Sequence, residues 1–411
     1  MRTIRTVTAE SEDYYEEDES LVDAQERYYG EAESPSEVDR MTRAIYAGTS
    51  AQEEHLEGHV AREDLKSLFK GALPGSGQRI RGERPNADDK ERLAHDVVLS
   101  APKSVSMALH LEGDLRLFDC HMEAAKDTLA VMEKEFAQTR IQVNGVRQTV
   151  NTGKLLAVLM PHHTSRDGDM QLHTHMLIMN GTKGPDGVWR SLCHESLAKA
   201  EWIGSFYRQQ LAEKVQAIGY RTYNTEHGFE LQGYSRDDIE VFSKRNRAIV
   251  KAVKEDGLAV NAENKKQKVL PTRQAKCKSG KKLEDIQDLW REEAHSEQLG
   301  KPVLDHPINV QPNVETATCE VNSAIQHLSE RSVSFSRDDI RAYAFKHVHA
   351  EGLSYKQISQ AIDQHQSLLN AGEGRFTTAE ALEREIEPLQ RWMKGQGAAT
   401  PLLANPDLEG T

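Results

Sequence analysis

Several features are scarce in this chain, and each scarcity closes off a class of answers. Its 411 residues hold four cysteines, Cys120, Cys193, Cys277 and Cys319, far apart and with no Cys-x-x-Cys pair. A disulfide scaffold or thiolate zinc site is therefore not expected, and a reducing cytoplasm is the expected compartment. No stretch approaches the ~20 apolar residues that a membrane helix needs. Met1-Arg2-Thr3-Ile4-Arg5 offers no apolar signal core. There is no Gly-x-x-x-x-Gly-Lys-Ser/Thr phosphate loop, so no nucleotide cofactor is expected. Net positive charge is missing too: the formal balance is −13, which as a sum argues against a polyanionic partner.

The distribution of charge says something different from the sum. Residues 1–40 carry thirteen acids against four bases, whereas residues 244–282 carry thirteen bases against three acids. A basic run can be no more than a solvated face. It is also the footprint a phosphate backbone requires, and the remaining motifs decide between the two.

Hydrophobic residues make up 37% and charged residues 28% of the chain, as in a water-soluble protein with long polar segments. Thr3 to Thr8 alternates as a short strand, and Ala9 to about Arg40 reads as acidic and turn-rich. Residues 36–70 read as helical and Gly71 to Asp89 as a loop. Asp96 to Ser100 has a buried-strand pattern, Pro102 opens a helix, and a longer amphipathic helix covers about Asp114 to Ala137. Asn144-Gly145 predicts a tight hairpin turn within 140–150. Strands are expected at 154–160, 171–180 and from Val188, with another hairpin near His227-Gly228. Helices are expected at about 194–217, 235–255 and 283–297. Residues 299–313, with three prolines, read as a linker to helical patterns near 315–330, 337–348, 355–370 and 377–395.

The densest chemical signal is His162-His163-Thr164-Ser165-Arg166 followed by Gln171-Leu172-His173-Thr174-His175. On a strand, residues two apart share a face, so His173 and His175 project side by side. A lone His-x-His strand reads as an ordinary polar face. An upstream histidine from a neighbouring strand makes it a three-imidazole site that leaves coordination positions open, as a catalytic metal requires. Strand alternation allows only one of His162 and His163 on that face and does not choose between them. Asp96, at the head of an apolar strand, would be costly unpaired. It could cap a turn, orient a metal-binding imidazole, or accept a proton. Tyr14-Tyr15 and Tyr28-Tyr29 would be scattered aromatics on their own. Beside a metal and a phosphate they become candidate nucleophiles, although Glu12, Asp13, Glu16 and Glu17 oppose ionisation and repel phosphate.

These pieces together resemble the conjugative relaxases of the MobF class, within the HUH endonuclease superfamily. The residues that carry the resemblance are Thr6-Val7-Thr8 with Tyr14-Tyr15, the segment Asp96 to Ser106 (ending Ser-Ala-Pro-Lys-Ser-Val-Ser), and the block His162 to Asn180. Weaker similarity continues at Thr272-Arg273 and Leu328-Ser329-Glu330-Arg331, so it spans roughly residues 1–350 in patches. The resemblance implies an α+β fold: a five-stranded antiparallel sheet flanked by helices, a mostly helical DNA-clasping region, and a small C-terminal helical region. The corresponding boundaries are 1–235, 236–300 and 301–411.

By position, the resemblance implies metal ligation by His162, His173 and His175, support from Asp96, and Tyr14 as first nucleophile. Tyr15, Tyr28 and Tyr29 complete the tyrosine set, with the second pair further from the first than is usual. Arg166 is expected to grip phosphate. Lys103, Lys244, Arg245, Arg247, Lys265, Lys266, Lys268, Arg273, Lys276 and Lys278 are expected to bind DNA. The implied reaction nicks single-stranded DNA at an origin of transfer, leaves a 5′-phosphotyrosyl link, and later reseals it. Mg²⁺ or Mn²⁺ is the expected ion, though three imidazoles would hold Zn²⁺, Ni²⁺ or Cu²⁺ more tightly. Accessory transfer proteins and a secretion-system coupling protein are the expected partners, in a donor-cell cytoplasm. Many family members continue into a helicase beyond a segment like Phe376-Thr377-Thr378-Ala379-Glu380-Ala381-Leu382, so a relaxase-only fragment or a short form is expected. Two other readings are a rolling-circle replication initiator and a three-histidine hydrolase or oxygenase acting on a small molecule. The last leaves the tyrosines and the basic segment without a role.

Overall fold

The structure is a computed structural model. It describes residues 4–16, 18–21, 37–82, 91–165, 167–197, 202–225, 228–268, 283–311, 313–347, 353–372 and 374–396. Two compact units emerge. One comprises Met1–Gln311 with Phe345–Gly352, and the other Pro312–Ala344 with Leu353–Thr411.

The first unit is built on strands β1 (Ile4–Thr8), β2 (Ile45–Ala47), β3 (Arg92–Ser100), the hairpin β4 (Gln138–Val143) and β5 (Val146–Asn151), β6 (Ala157–Thr164) and β7 (Met170–Met179). Five of them form an antiparallel sheet in the order β1-β3-β7-β6-β2. The expected five-stranded α+β core is present, with β7 at its centre. The hairpin turns at Asn144 and Gly145, both at positive φ (51° and 80°), as a type I′ turn requires.

Each sheet face has its own cover. Val158, Met160, Leu177 and Met179 pack with Leu65, Leu68 and Phe69 of helix Arg62–Phe69 in one apolar cluster. The opposite face lies under helices Lys103–Leu111 and Arg116–Phe136, the latter through His121 and Met122 against Thr174, and helix Ile203–Ala217 packs behind Arg116–Phe136 through Tyr207 against His121. The buried stripe of Arg116–Phe136 runs through Leu117, His121, Ala124, Thr128 and Met132, the spacing of one helix face.

Three local expectations are corrected. Ala9–Glu16 is a helix rather than a turn-rich stretch, and it buries Tyr15. Residues 45–47 leave the expected helical stretch to form edge strand β2 against β6. Gly48 ends that strand at φ 96°, where a Cβ would meet the Leu155 carbonyl oxygen at 2.4 Å. In the second unit the expected helices occur over Val314–Ser329, Tyr355–Gln364 and Ala379–Gly395, together with helix Arg337–His347 as far as Ala344. That unit also holds a three-stranded sheet from Phe335–Ser336, Leu369–Gly372 and Arg375–Thr377, so the C-terminal region is not wholly helical. No helix among the described residues is long and apolar enough to cross a membrane.

Candidate metal centre

Register brings the histidines together. His162 of β6 lies directly opposite His173 of β7, and Met160 opposite His175, so the three rings share the face of Met160's neighbours in the sheet. Ring centroids are 5.0–5.4 Å apart, and one nitrogen from each ring lies within 4.8 Å of the other two. Among the described residues this is the only such set of histidine, cysteine or acidic side chains.

Each ring has a partner that fixes its orientation. His175 Nδ1 lies 2.9 and 3.0 Å from the two Asp96 oxygens. His173 Nδ1 lies 3.0 Å from the Gln171 carbonyl oxygen, which accepts its proton. Both leave Nε2 as the lone-pair nitrogen. His162 differs: its Nε2 lies 2.9 Å from Asp18 Oδ2. Burial, reinforced by His162 and His175, pushes the His173 pKa well below the ordinary imidazole range, so it stays neutral. Three imidazoles held in this way fit a divalent cation.

His163 takes the other face, as alternation demands. It is buried with Nε2 2.9 Å from the Met41 carbonyl and Nδ1 3.3 Å from His110.

The two tyrosines of the first pair diverge. Tyr14 is 40% exposed, with its ring centroid 6.4 Å from that of His175. Tyr15 is buried and donates its hydroxyl to Asp96 at 2.9 Å. Burial and the Asp96 charge push the Tyr15 pKa far above the ordinary phenol range. Part of the acidic surroundings is also turned away from Tyr14. Glu16 faces Lys66 at 3.7 Å and Asp18 faces His162.

The Ser-Ala-Pro-Lys-Ser-Val-Ser segment places β7. Ser106 Oγ accepts the Leu172 amide at 2.9 Å, and Lys103 Nζ donates to the Met170 carbonyl at 2.6 Å. Desolvation lowers the Lys103 pKa to about 8. Ser104 meets Glu230 of the strand Gly228–Leu231, which pairs with Thr222–Thr225, through both its amide and its hydroxyl. The turn between the ligand strands is held as well. Lys244 contacts Asp169 through its amide at 2.7 Å and through Nζ at 3.4 Å, and reaches Glu293 at 3.0 Å. Trp290 Nε1 donates to the Gly168 carbonyl at 2.9 Å.

Among the other expected DNA-binding residues, Arg245 and Arg247 lie on helix Lys244–Glu255, where Arg247 donates to the Val241 carbonyl at 3.0 Å. Lys265, Lys266 and Lys268 lie on helix Ala262–Lys268, and Lys268 pairs with Asp256. Tyr28, Tyr29, Arg166, Arg273, Lys276 and Lys278 lie outside the described residues.

Sequence reasoning gave no role to Asp18, Asp169 or Trp290. Asp18 was hidden in an acidic run whose members look alike until the chain folds. Asp169 and Trp290 are separated from their partners by long stretches of sequence and carry no motif.

The family model of the TrwC relaxase matches residues 8–297. The chain is 32% identical over 323 residues to the multifunctional conjugation protein TraI of Escherichia coli K12, a match covering 72% of this chain and 18% of that protein. It thus spans less than a fifth of that relative's length. Two solved structures of the conjugative relaxase TrwC with origin-of-transfer DNA are also similar. The metal-free complex matches with TM-score 0.61 at 30% identity, and a copper-bound complex with TM-score 0.62 at 31% identity. Each match covers 73% of this chain and 99% of that one.

Proposed function

Because the chain belongs to the TrwC relaxase family, we propose that it cuts and rejoins one strand of origin-of-transfer DNA, with Tyr14 as the nucleophile. The observation that carries this reading is an exposed Tyr14 beside three mutually oriented imidazoles. His162, His173 and His175 would hold a divalent cation. When bound, that cation supplies Lewis-acid stabilisation of charge developing on the scissile phosphate. Mg²⁺ or Mn²⁺ suits phosphate oxygens, while the imidazole set would retain Zn²⁺, Ni²⁺ or Cu²⁺ more firmly.

The protein's own residues account for the rest. Asp96 fixes the His175 ring from the neighbouring strand, and Tyr15 fixes Asp96. Tyr14 Oη attacks phosphorus in line with the departing 3′-oxygen. The Oη–P bond forms as the P–O3′ bond breaks; the phenolic proton is lost and the 3′-oxygen gains one. The phosphotyrosyl ester conserves the bond, so attack by a 3′-hydroxyl reverses the step and reseals the strand. The helices of 236–300 would clasp the DNA, with Arg166 gripping phosphate. Tyr28 and Tyr29 would serve a second transfer. Accessory transfer proteins and a coupling protein in the donor cytoplasm complete the reading.

The test is a denaturing gel of the protein mixed with labelled single-stranded origin DNA. A covalent adduct is expected that EDTA suppresses and Tyr14→Phe abolishes. An adduct undiminished in Tyr14→Phe would refute the assignment of the nucleophile.

A further inference from the structure

Two helices of the basic region, Lys244–Glu255 and Leu283–Ser296, come down on the same short turn. At the start of the first, the Lys244 amide donates to Asp169 Oδ2 at 2.7 Å. In the second, Trp290 is the one buried side chain, and its Nε1 donates to the Gly168 carbonyl at 2.9 Å. Lys244 Nζ reaches Glu293 at 3.0 Å, so the two helices are also tied to each other at this point. The turn itself, residues 165–169, joins β6 to β7 and lies between His162 and His173 in the chain. It is closed by its own bonds. The Ser165 amide donates to the Asp169 carbonyl at 2.8 Å and the Gly168 amide to the Ser165 carbonyl at 3.1 Å.

Trp290 has a second seat. Its ring centroid lies 5.1 Å from that of buried His110, and Gln287, one turn earlier on the same helix, lies 3.0 Å from His110 Nδ1. His110 Nε2 lies 3.3 Å from Nδ1 of His163, the residue after His162 on β6. The helix therefore grips β6 and the turn that follows it together.

We propose that Trp290 is a positioning residue that couples the DNA-clasping helices to the turn between the ligand strands, so that DNA held by those helices steadies the strands carrying His162 and His173. This rests on the reading of residues 236–300 as the DNA-clasping region. A turn closed by its own hydrogen bonds moves as a unit, and two helices hold adjacent residues of it. Whatever orders the helices therefore orders the turn, and the coupling is reciprocal. An indole suits the junction because its apolar body packs on His110 while its edge N–H reaches a backbone carbonyl.

Hydrogen exchange of the full chain, with and without single-stranded oligodeoxythymidylate and with EDTA present so that no strand is cut, tests this. In the wild type, DNA is expected to slow exchange over both 244–255 and 165–170. In Trp290→Ala the slowing over 244–255 should remain and that over 165–170 should disappear. Trp290→Phe keeps a ring against His110 and loses only the donor. Without DNA it is expected to speed exchange at Gly168 and Asp169 about five-fold, and with DNA to show a smaller slowing there than the wild type; it decides the matter if the alanine variant does not fold. A Trp290 that merely stabilises the turn would speed exchange by the same factor with and without DNA. That result, or a wild-type turn indifferent to DNA, would overturn the coupling and leave the clasping helices standing. Failure of DNA to slow 244–255 in the wild type would remove the clasping reading and the coupling with it.

Discussion

Tyr14 and Tyr15 differ by one position on a short helix, and that offset sends one ring toward solvent and the other into the core beside Phe69. The consequence is a division of labour that a double mutant would obscure. Tyr15→Phe removes one hydrogen bond to a buried carboxylate that still holds His175, so it is expected to cost about 1.5–3 kcal/mol of stability while adduct formation persists. Urea unfolding and the denaturing gel measure the two effects separately; loss of the adduct in a folded Tyr15→Phe protein would contradict the division. Asp96→Ala strips the support from His175 and is expected to lower metal affinity about 10–100-fold, read by calorimetric titration of the metal-free protein with Mn²⁺. At this scale much was legible. Period-two alternation alone placed His173 and His175 on one face and separated His162 from His163. It could not say which of those two faced the site, because that depends on where β6 lies against β7. The partners of the ligands were harder to read, since a carboxylate such as Asp18 has no periodic signature.

Among the elements, the strongest patterns were the readable ones: the long amphipathic helix, the Asn144-Gly145 hairpin and the two ligand strands. The N-terminal helix and β2 were not, and for physical reasons. Ala9–Glu16 is acidic with a weak apolar face, and tertiary burial of Tyr15 holds it. β2 is three residues of an edge strand, too short for alternation to register, and its end is fixed by Glu133, which accepts the Thr49 and Leu155 amides at 2.6 and 2.9 Å. The basic region divides in the same way. Lys103 and Lys244 carry positive charge, but the fold uses them to fasten β7 and the turn before it. Lys251 and Lys254, on the helix Lys244–Glu255, are exposed. Replacing either exposed lysine with Ala is expected to reduce the dependence of log K on log salt by about 0.7 per lost phosphate contact, with stability unchanged. Lys244→Ala is expected to leave that slope alone and to speed hydrogen exchange at the Asp169 and Met170 amides. Fluorescence anisotropy across a salt series, paired with exchange measurements, checks both; a slope change in Lys244→Ala would place that residue on the DNA instead.

Across the first unit, the sheet separates two kinds of histidine. One face presents the candidate ligands. On the other side His95 of β3 is buried with His110 and His121 of the covering helices, and burial holds all three below the ordinary imidazole range. His121 spans from Tyr207 at 2.5 Å to Thr174 at 2.7 Å, bracing β7 between its two ligands from behind. His95 stacks on His194 with centroids 5.1 Å apart, and neither of its ring nitrogens has a hydrogen-bond partner among the described residues. Burial lowers the pKa of both His95 and His121 from 6.5 to about 3. Between pH 6.5 and 3 the unfolded chain takes up protons at these positions and the folded chain does not, so stability falls as pH falls through that window. At pH 5 the expected loss is about 2 kcal/mol for each such histidine relative to pH 7 or above. His95 is the cleaner probe, because replacing it breaks no hydrogen bond. His95→Phe keeps an aromatic ring against His194 and removes the titrating group, so urea unfolding of the metal-free protein should show a smaller loss of stability between pH 7 and pH 5, by about 2 kcal/mol. An identical loss in the variant and the wild type would mean that His95 is protonated in the folded protein. The sheet would then tolerate a buried charge one residue from Asp96.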